Sequence, residues 1–268
     1  MAEPVITSVL DILTNPPKGV DLTLVGGQAL IYWTLFHIES YPELFPDDVI
    51  SSTYDIDFIV SMKKACEQCH EHWGGELLIP DAEDMTPELG MLIFNKGTDD
   101  RLEVDLLQDL FKMSRPDIHK HRLLIKPDDP DFEMVFVLSE WAVLLNRVNN
   151  TVGLSKYQRP EALIQVRNAF SVYHAHILSL LDEGDVGGAQ SGCHKLIQLA
   201  KNSRLGMPLF LKHGLDVLDA IPVADDRFEA VFKEKALAPG ILQVREKQAR
   251  LQHSRDQKLT EMSEKQSS

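Results

Sequence analysis

Cysteine is scarce in this chain. Cys66, Cys69 and Cys193 are the only three in 268 residues, too few for a closed disulfide framework and in keeping with a reducing compartment. Long hydrophobic runs are lacking as well: no apolar stretch approaches the roughly 18 residues that read as a membrane-spanning helix. The opening MAEPVITSVLDIL has neither a basic n-region nor a small-residue cleavage site, so a soluble, cytoplasmic protein with no membrane partner is expected. Positive charge is also in deficit. The 27 basic residues stand against 41 acidic ones, for a formal charge of −14, which excludes the broad basic field that holds nucleic acid nonspecifically. Any polyanion must meet a local basic patch or be held through metal ions.

The 44% hydrophobic content over this length suffices for one large domain, or for a catalytic core with a smaller lobe. No internal repeat of fixed period is present. Acid is concentrated in residues 81–109, where nine carboxylates face only Lys96 and Arg101.

The first half mixes strand and helix signals. Residues 3–13 have helical spacing and end at the breaker Asn15-Pro16-Pro17-Lys18-Gly19. Leu22 to Val25, Gly26-Gly27 and Gln28 to Ile38 read as strand, tight turn and helix. Residues 39–53 read as a loop. Ile56 to Val60 is a predicted strand, Met62 to Trp73 an amphipathic helix, and Glu76 to Ile79, Gly90–Asn95 and Leu102–Leu107 are further strands. From Ser139 the pattern turns helical, with predicted helices to about Val148, from Pro160 to Leu181, and near Ala189–Ser203. The predicted division is a mixed α+β core over 1–138, a helical C-terminal domain over 139–255, and a disordered tail over 256–268.

Asp55-Ile56-Asp57 opens a strand, and period-two alternation projects both carboxylates to one side. In Leu102-Glu103-Val104-Asp105-Leu106 the acids likewise share a face. If the two strands are neighbours, a third carboxylate joins the first two, and both Glu103 and Asp105 are candidates for it. Hard cations such as Mg²⁺ take oxygen ligands and leave positions for water and substrate phosphates, and a pair of them can clamp an in-line phosphoryl or nucleotidyl displacement. At Gly26-Gly27 a strand passes into a helix, where backbone N–H groups can approach a triphosphate closely.

This order of strand, Gly-Gly, helix, Asp-x-Asp strand and later carboxylate strand resembles the DNA-polymerase-beta-like nucleotidyltransferase superfamily. The segments Leu24-Val25-Gly26-Gly27-Gln28-Ala29-Leu30 and Thr53-Tyr54-Asp55-Ile56-Asp57-Phe58 look most like its AbiEii-type branch. The resemblance implies a nucleotidyltransferase-like core and a helical C-terminal lobe. It further implies Mg²⁺-dependent transfer of a nucleoside monophosphate from an NTP to RNA, such as a tRNA end, or to a protein hydroxyl. A role as toxin in a toxin–antitoxin or phage-defence pair is implied too, with a cognate antitoxin as partner. Carried over by position, Asp55 and Asp57 bind the two metal ions, Asp105 completes the catalytic site and helps deprotonate the acceptor, and Gly26 and Gly27 hold the triphosphate. The chain departs from the pattern in its long acidic, proline-containing insertion between Gly27 and Asp57, and in lacking the Ser of Gly-Ser members.

Other features have rival readings. Lys63 and Lys64 follow the Asp-x-Asp strand and are either nucleotide contacts or surface residues. Lys112, Arg115, Lys120, Arg122 and Lys126, with His119 and His121, either line the route of a polyanionic acceptor or form a solvated loop and edge strand. Cys66-Glu67-Gln68-Cys69-His70 matches the haem-attachment pattern, with Cys193-His194 as the only distant pair that zinc could use. The plainer reading is a helix with its His and Glu side in solvent. Tyr32, Trp33, Phe36, Trp141 and Phe170 fall at helical spacings that suit a core. Two other functions compete with the leading one: an antibiotic-modifying nucleotidyltransferase, whose cationic acceptor suits an acidic surface, and a catalytically silent nucleotide-binding or interaction module.

Overall fold

A computed structural model describes residues 8–45, 55–81, 83–84, 86–125 and 135–266. Residues 3–7 of the expected first helix, 46–53 of the expected loop, Thr53-Tyr54, Lys126 and the last two residues of the expected tail lie outside the described residues. The chain divides into two compact units, Met1–Arg147 and Val148–Ser268. That division falls within a helix, a little beyond the boundary expected after residue 138.

The first unit is built on a seven-stranded mixed sheet with flanking helices. Its strands are β1 (Thr23–Val25), β2 (Asp55–Ile59), β3 (Glu76–Leu78), β4 (Glu88–Phe94), β5 (Leu102–Leu107), β6 (Arg122–Ile125) and β7 (Val135–Leu138), in the spatial order β3-β4-β5-β2-β1-β7-β6. β2 runs parallel to β5, and β1 parallel to β7; the other neighbours are antiparallel. The helices are α1 (Val9–Thr14), α2 (Gly26–Ile38), α3 (Lys63–Trp73), α4 (Arg115–Lys120) and α5 (Glu140–Gly153), the last crossing into the second unit.

Alternation explains the packing of this sheet. Leu24, Ile56, Phe58, Leu92, Val104 and Leu106 share one face and are all at most 1% exposed, each contributing on the order of 2 kcal/mol of transfer free energy. α3 covers part of that face. Trp73 stacks on Phe58 with ring centroids 6.1 Å apart, and its indole N–H donates to the Asn15 carbonyl at 2.6 Å. The amphipathic reading of α3 therefore holds, with Ala65, Cys66, Cys69 and Trp73 turned inward. α1 starts on a capping box in which Ser8 Oγ accepts from Asp11 N–H and Asp11 accepts from Ser8 N–H, which satisfies two otherwise orphaned donors.

Every regular element described in the second unit is helical. α6 (Pro160–Asp182) has its proline in the first turn, where the missing N–H costs nothing. α7 (Val186–Lys201) is capped by Asp185, which accepts from Gly188 N–H at 2.8 Å. α8 (Gly206–His213), unforeseen in the sequence, ends at left-handed Gly214. α9 (Ala230–Phe232) passes through a π-helical turn, Lys233–Leu237, into α10 (Ala238–Gln266). α10 continues as helix to Gln266, through most of the segment expected as a disordered tail. No helix among the described residues is long and apolar enough to cross a membrane.

Candidate functional site

The register between β2 and β5 sets Asp57 opposite Asp105 and Asp55 opposite Glu103. Neighbouring strands lie roughly 4.8 Å apart and paired residues point to the same face, so all four acids stand on the side away from the Phe58 and Val104 core. Two like charges side by side cost energy in a sheet unless something offsets them. Glu103 has such an offset in the guanidinium of Arg101, with which it forms an ion pair. Among the described residues Asp105 has none of that kind: its Oδ1 is buried and carries no hydrogen-bond partner.

Burial pushes the Asp105 carboxyl up to about 7, with the charges of Asp57, Glu88, Asp55 and Glu103 adding to the rise in that order. A carboxyl in that position is poised to exchange its proton near neutral pH. Glu88 is the one contributor the sequence did not single out. It lies at a bulge, where β4 pairs Glu88 with Leu107 and then Gly90 with Leu106, and bulges re-aim side chains beside sites. The only signal for it was the acid-rich composition of residues 81–109.

Gly26 closes the other side of the pair. Val25 lies opposite Asp57 in the antiparallel ladder of β1 and β2, and Gly26 then turns into α2 with φ of +66°. A Cβ at this position would fall 1.7 Å from Asp57 Oδ2. Only glycine therefore allows both the left-handed turn and the approach of backbone to carboxylate. Gly27 is buried in the first turn of α2, so the amino end of that helix abuts the Asp57 carboxylate.

Among the described residues no group of three or more His, Cys, Asp or Glu side chains is arranged to hold a metal ion. The facing pair of Asp57 and Asp105, with one buried oxygen unsatisfied, nonetheless offers a donor set of the right chemistry for Mg²⁺. That ion commonly uses one or two carboxylates and draws its other ligands from water and phosphate. Asp55 is exposed at the start of β2 and acts on Asp105 through its charge.

Other expected residues fall elsewhere. Lys63 and Lys64 are exposed on the first turn of α3, which follows the end of β2 opposite to Asp55. The segment following Lys112 forms α4 and the edge strand β6. Arg122 is held by Asp21 at 2.5 Å and lies over the Phe136 ring at 3.8 Å, while Arg115 meets Asp109 at 3.7 Å. Arg115, His119 and Arg122 line a cavity of only about 40 Å³. Cys66 and Cys69 are buried free thiols, pushed up by burial to about 11 and about 12. Trp33 and Phe170 are buried as expected of core residues, but Phe36 is 59% exposed and stacks on Tyr32 at 6.5 Å. It departs from the core reading because α2 buries Ala29, Leu30 and Trp33 and turns Phe36 outward.

Neither known protein families, nor curated proteins, nor solved structures gave a match to this chain.

Proposed function

We propose that the first unit is a nucleotidyltransferase that moves a nucleoside monophosphate from an NTP to a hydroxyl acceptor. The observation that carries this reading is the register of Asp57 against Asp105, with Gly26 backbone packed on one side of the pair and an unsatisfied buried oxygen on the other. Mg²⁺ bound by Asp57 and Asp105, with Asp55 beside them, would neutralise phosphate charge and polarise the reacting phosphoryl group.

The chain's own groups have separate tasks. The acceptor oxygen attacks the α-phosphorus while the bond to the β-phosphate oxygen breaks and pyrophosphate leaves. Asp105 takes the acceptor's proton, a role suited to a carboxyl that faces Asp57 across the strand pair and has one oxygen without a hydrogen-bond partner. The N–H groups of Gly26 and Gly27 open α2, and a helix amino end favours the negative charge of a triphosphate. A toxin role and an antitoxin partner are expected from the resemblance alone and form no part of this reading.

The test incubates each α-labelled NTP with Mg²⁺ and total RNA or cell lysate, comparing wild type with Asp57→Ala. Label transfer and pyrophosphate release by the wild type only are expected. Absence of Mg²⁺-dependent NTP binding to the wild type in calorimetry would overturn the reading and leave a silent interaction module.

A further inference from the structure

The acid surplus of this chain belongs to its first unit. Residues 148–268 carry 16 Lys and Arg against 14 Asp and Glu, and cations of α8 and α10 gather around one groove. Leu211 and Lys212 of α8 line one wall, and Leu251, Arg255, Lys258 and Leu259 of α10 line the other, around a volume of about 540 Å³. On α10 these residues recur at helical spacing and share a face, which Met262 extends by one turn. Leu251, Leu259 and Met262 are 38%, 54% and 60% exposed, so the described residues leave this apolar stripe of about 16 Å largely uncovered. Arg255 is fixed across the groove by donating to the Leu211 carbonyl, one of the last-turn acceptors that a helix leaves without an internal partner.

No carboxylate lines the groove, and among the described residues none pairs with Lys212, Arg255 or Lys258. Charge complementarity therefore asks for an anion, and the leucines ask for one with a hydrocarbon face. The arrangement of the two decides its class. Arg255 and Lys258 lie between Leu251 and Leu259 along α10, so cations are interleaved with apolar residues instead of gathered at one end. A fatty acid or lipid, charged at one end only, leaves that pattern unmatched, and nucleic acid leaves the leucines bare. An amphipathic helix whose acids flank an apolar stripe matches both. A second copy of this chain is a poorer fit. The described part of its acid-rich stretch 81–109 forms strands and their connections, and a second α10 would set cation against cation.

We propose that the groove between α8 and α10 docks an acidic amphipathic helix of a partner protein, about two to three turns long. Apolar side chains of that helix seat between Leu211, Leu251 and Leu259, and its carboxylates meet Lys212, Arg255 and Lys258. The surface belongs to the second unit alone, and its occupancy is independent of the reaction assigned to the first.

Fluorescence anisotropy on the full chain tests this with a labelled, acetylated peptide of about 16 residues, bearing leucines along one helical face and glutamates beside them. A control peptide carries lysine in place of each glutamate. The acidic peptide is expected to bind wild type and gain helical circular dichroism, and the lysine peptide to do neither. The double variant Lys212→Gln, Lys258→Gln should weaken binding by about tenfold and flatten its salt dependence. Leu259→Asn should weaken it comparably and leave the salt dependence intact. The double variant Lys156→Gln, Lys235→Gln removes the same charge away from the groove and should change affinity by less than about twofold. No binding of the acidic peptide overturns the proposal, as does equal weakening by the two double variants. Single-stranded RNA or oleate that displaces the peptide from wild type, and itself depends on Lys212 and Lys258, overturns it in favour of nucleic acid or an amphiphile. A dimer of the free chain in light scattering that Leu259→Asn dissociates overturns it in favour of a second copy.

Discussion

Asp105 in the first unit and Asp216 in the second are both withdrawn from solvent, and their surroundings treat them in opposite ways. Asp216 is 5% exposed and every oxygen has a donor. Its Oδ1 accepts from Leu218 N–H at 3.0 Å, while Oδ2 accepts from Gln248 at 2.9 Å and from the Arg245 guanidinium. Asp105 has an orphaned oxygen and four acidic neighbours. A carboxylate whose charge is answered by the protein ties helices together; one whose charge is left unanswered keeps its capacity for something from outside. The contrast separates an acid that serves the fold from the acid to which the proposed reaction assigns a chemical role, and it can be tested by substitution.

The largest effect is expected at the facing pair of Asp57 and Asp105. Asp57→Ala should lower nucleotidyl transfer by roughly 10³-fold or more, in line with the loss of a main electrostatic contributor to a transition state, while leaving the urea midpoint within a few tenths molar of wild type. A variant with full activity would end the assignment of this site. Asp216→Ala should do the reverse. Removing an acceptor from three donors should destabilise the second unit by about 2–3 kcal/mol, read as a shift in the urea transition of helical circular dichroism, and a transition unchanged by the substitution would erase the contrast.

Gly26→Ala comes next. The added Cβ has to displace Asp57 Oδ2 from 1.7 Å and accept φ of +66°, at about 2 kcal/mol or more, so both stability and any activity should fall. Retention of wild-type stability would show that the turn can reopen freely. The smallest effect is the most diagnostic in sign. Folded Asp105 holds its proton up to about 7 against an ordinary 3.8. Between those values the folded chain binds more protons than the unfolded one, so wild-type stability falls as pH rises from about 4 through 7. Asp105→Asn removes that loss: its melting temperature should equal or exceed that of wild type at pH 8 and depend less on pH across this window, although transfer is abolished. A destabilised Asp105→Asn at pH 8 would mean that the carboxylate is answered after all.

Much of the first unit was legible along the chain. The Gly26-Gly27 break, the alternation in 55–59 and 102–107, and the inward stripe of Ala65, Cys66, Cys69 and Trp73 are local patterns, and local patterns survive folding. Two strands were harder. Val135–Leu138 is a short apolar run that periodicity alone cannot classify, yet it pairs in parallel with Thr23 and Leu24 and occupies an interior position in the sheet. Arg122–Ile125 reads equally as loop or strand until β7 supplies its partner. Glu88 was hidden among other acids because its importance comes from a bulge and from nearness to Asp105, neither of which has a signature in neighbouring residues. Asp216 was hidden for the same reason, since its donors Arg245 and Gln248 come from α10.

The sequence by itself determined which acids share a face. With a side-chain period of two, Asp55 goes with Asp57 and Glu103 with Asp105, whatever else the chain does. It left open which of Glu103 and Asp105 meets Asp57, because sliding β5 by two residues keeps every side chain on its face and exchanges the partners. Only the tertiary structure decided this, through a ladder between strands more than forty residues apart, and the same packing gave Glu103 its arginine and, among the described residues, gave Asp105 none.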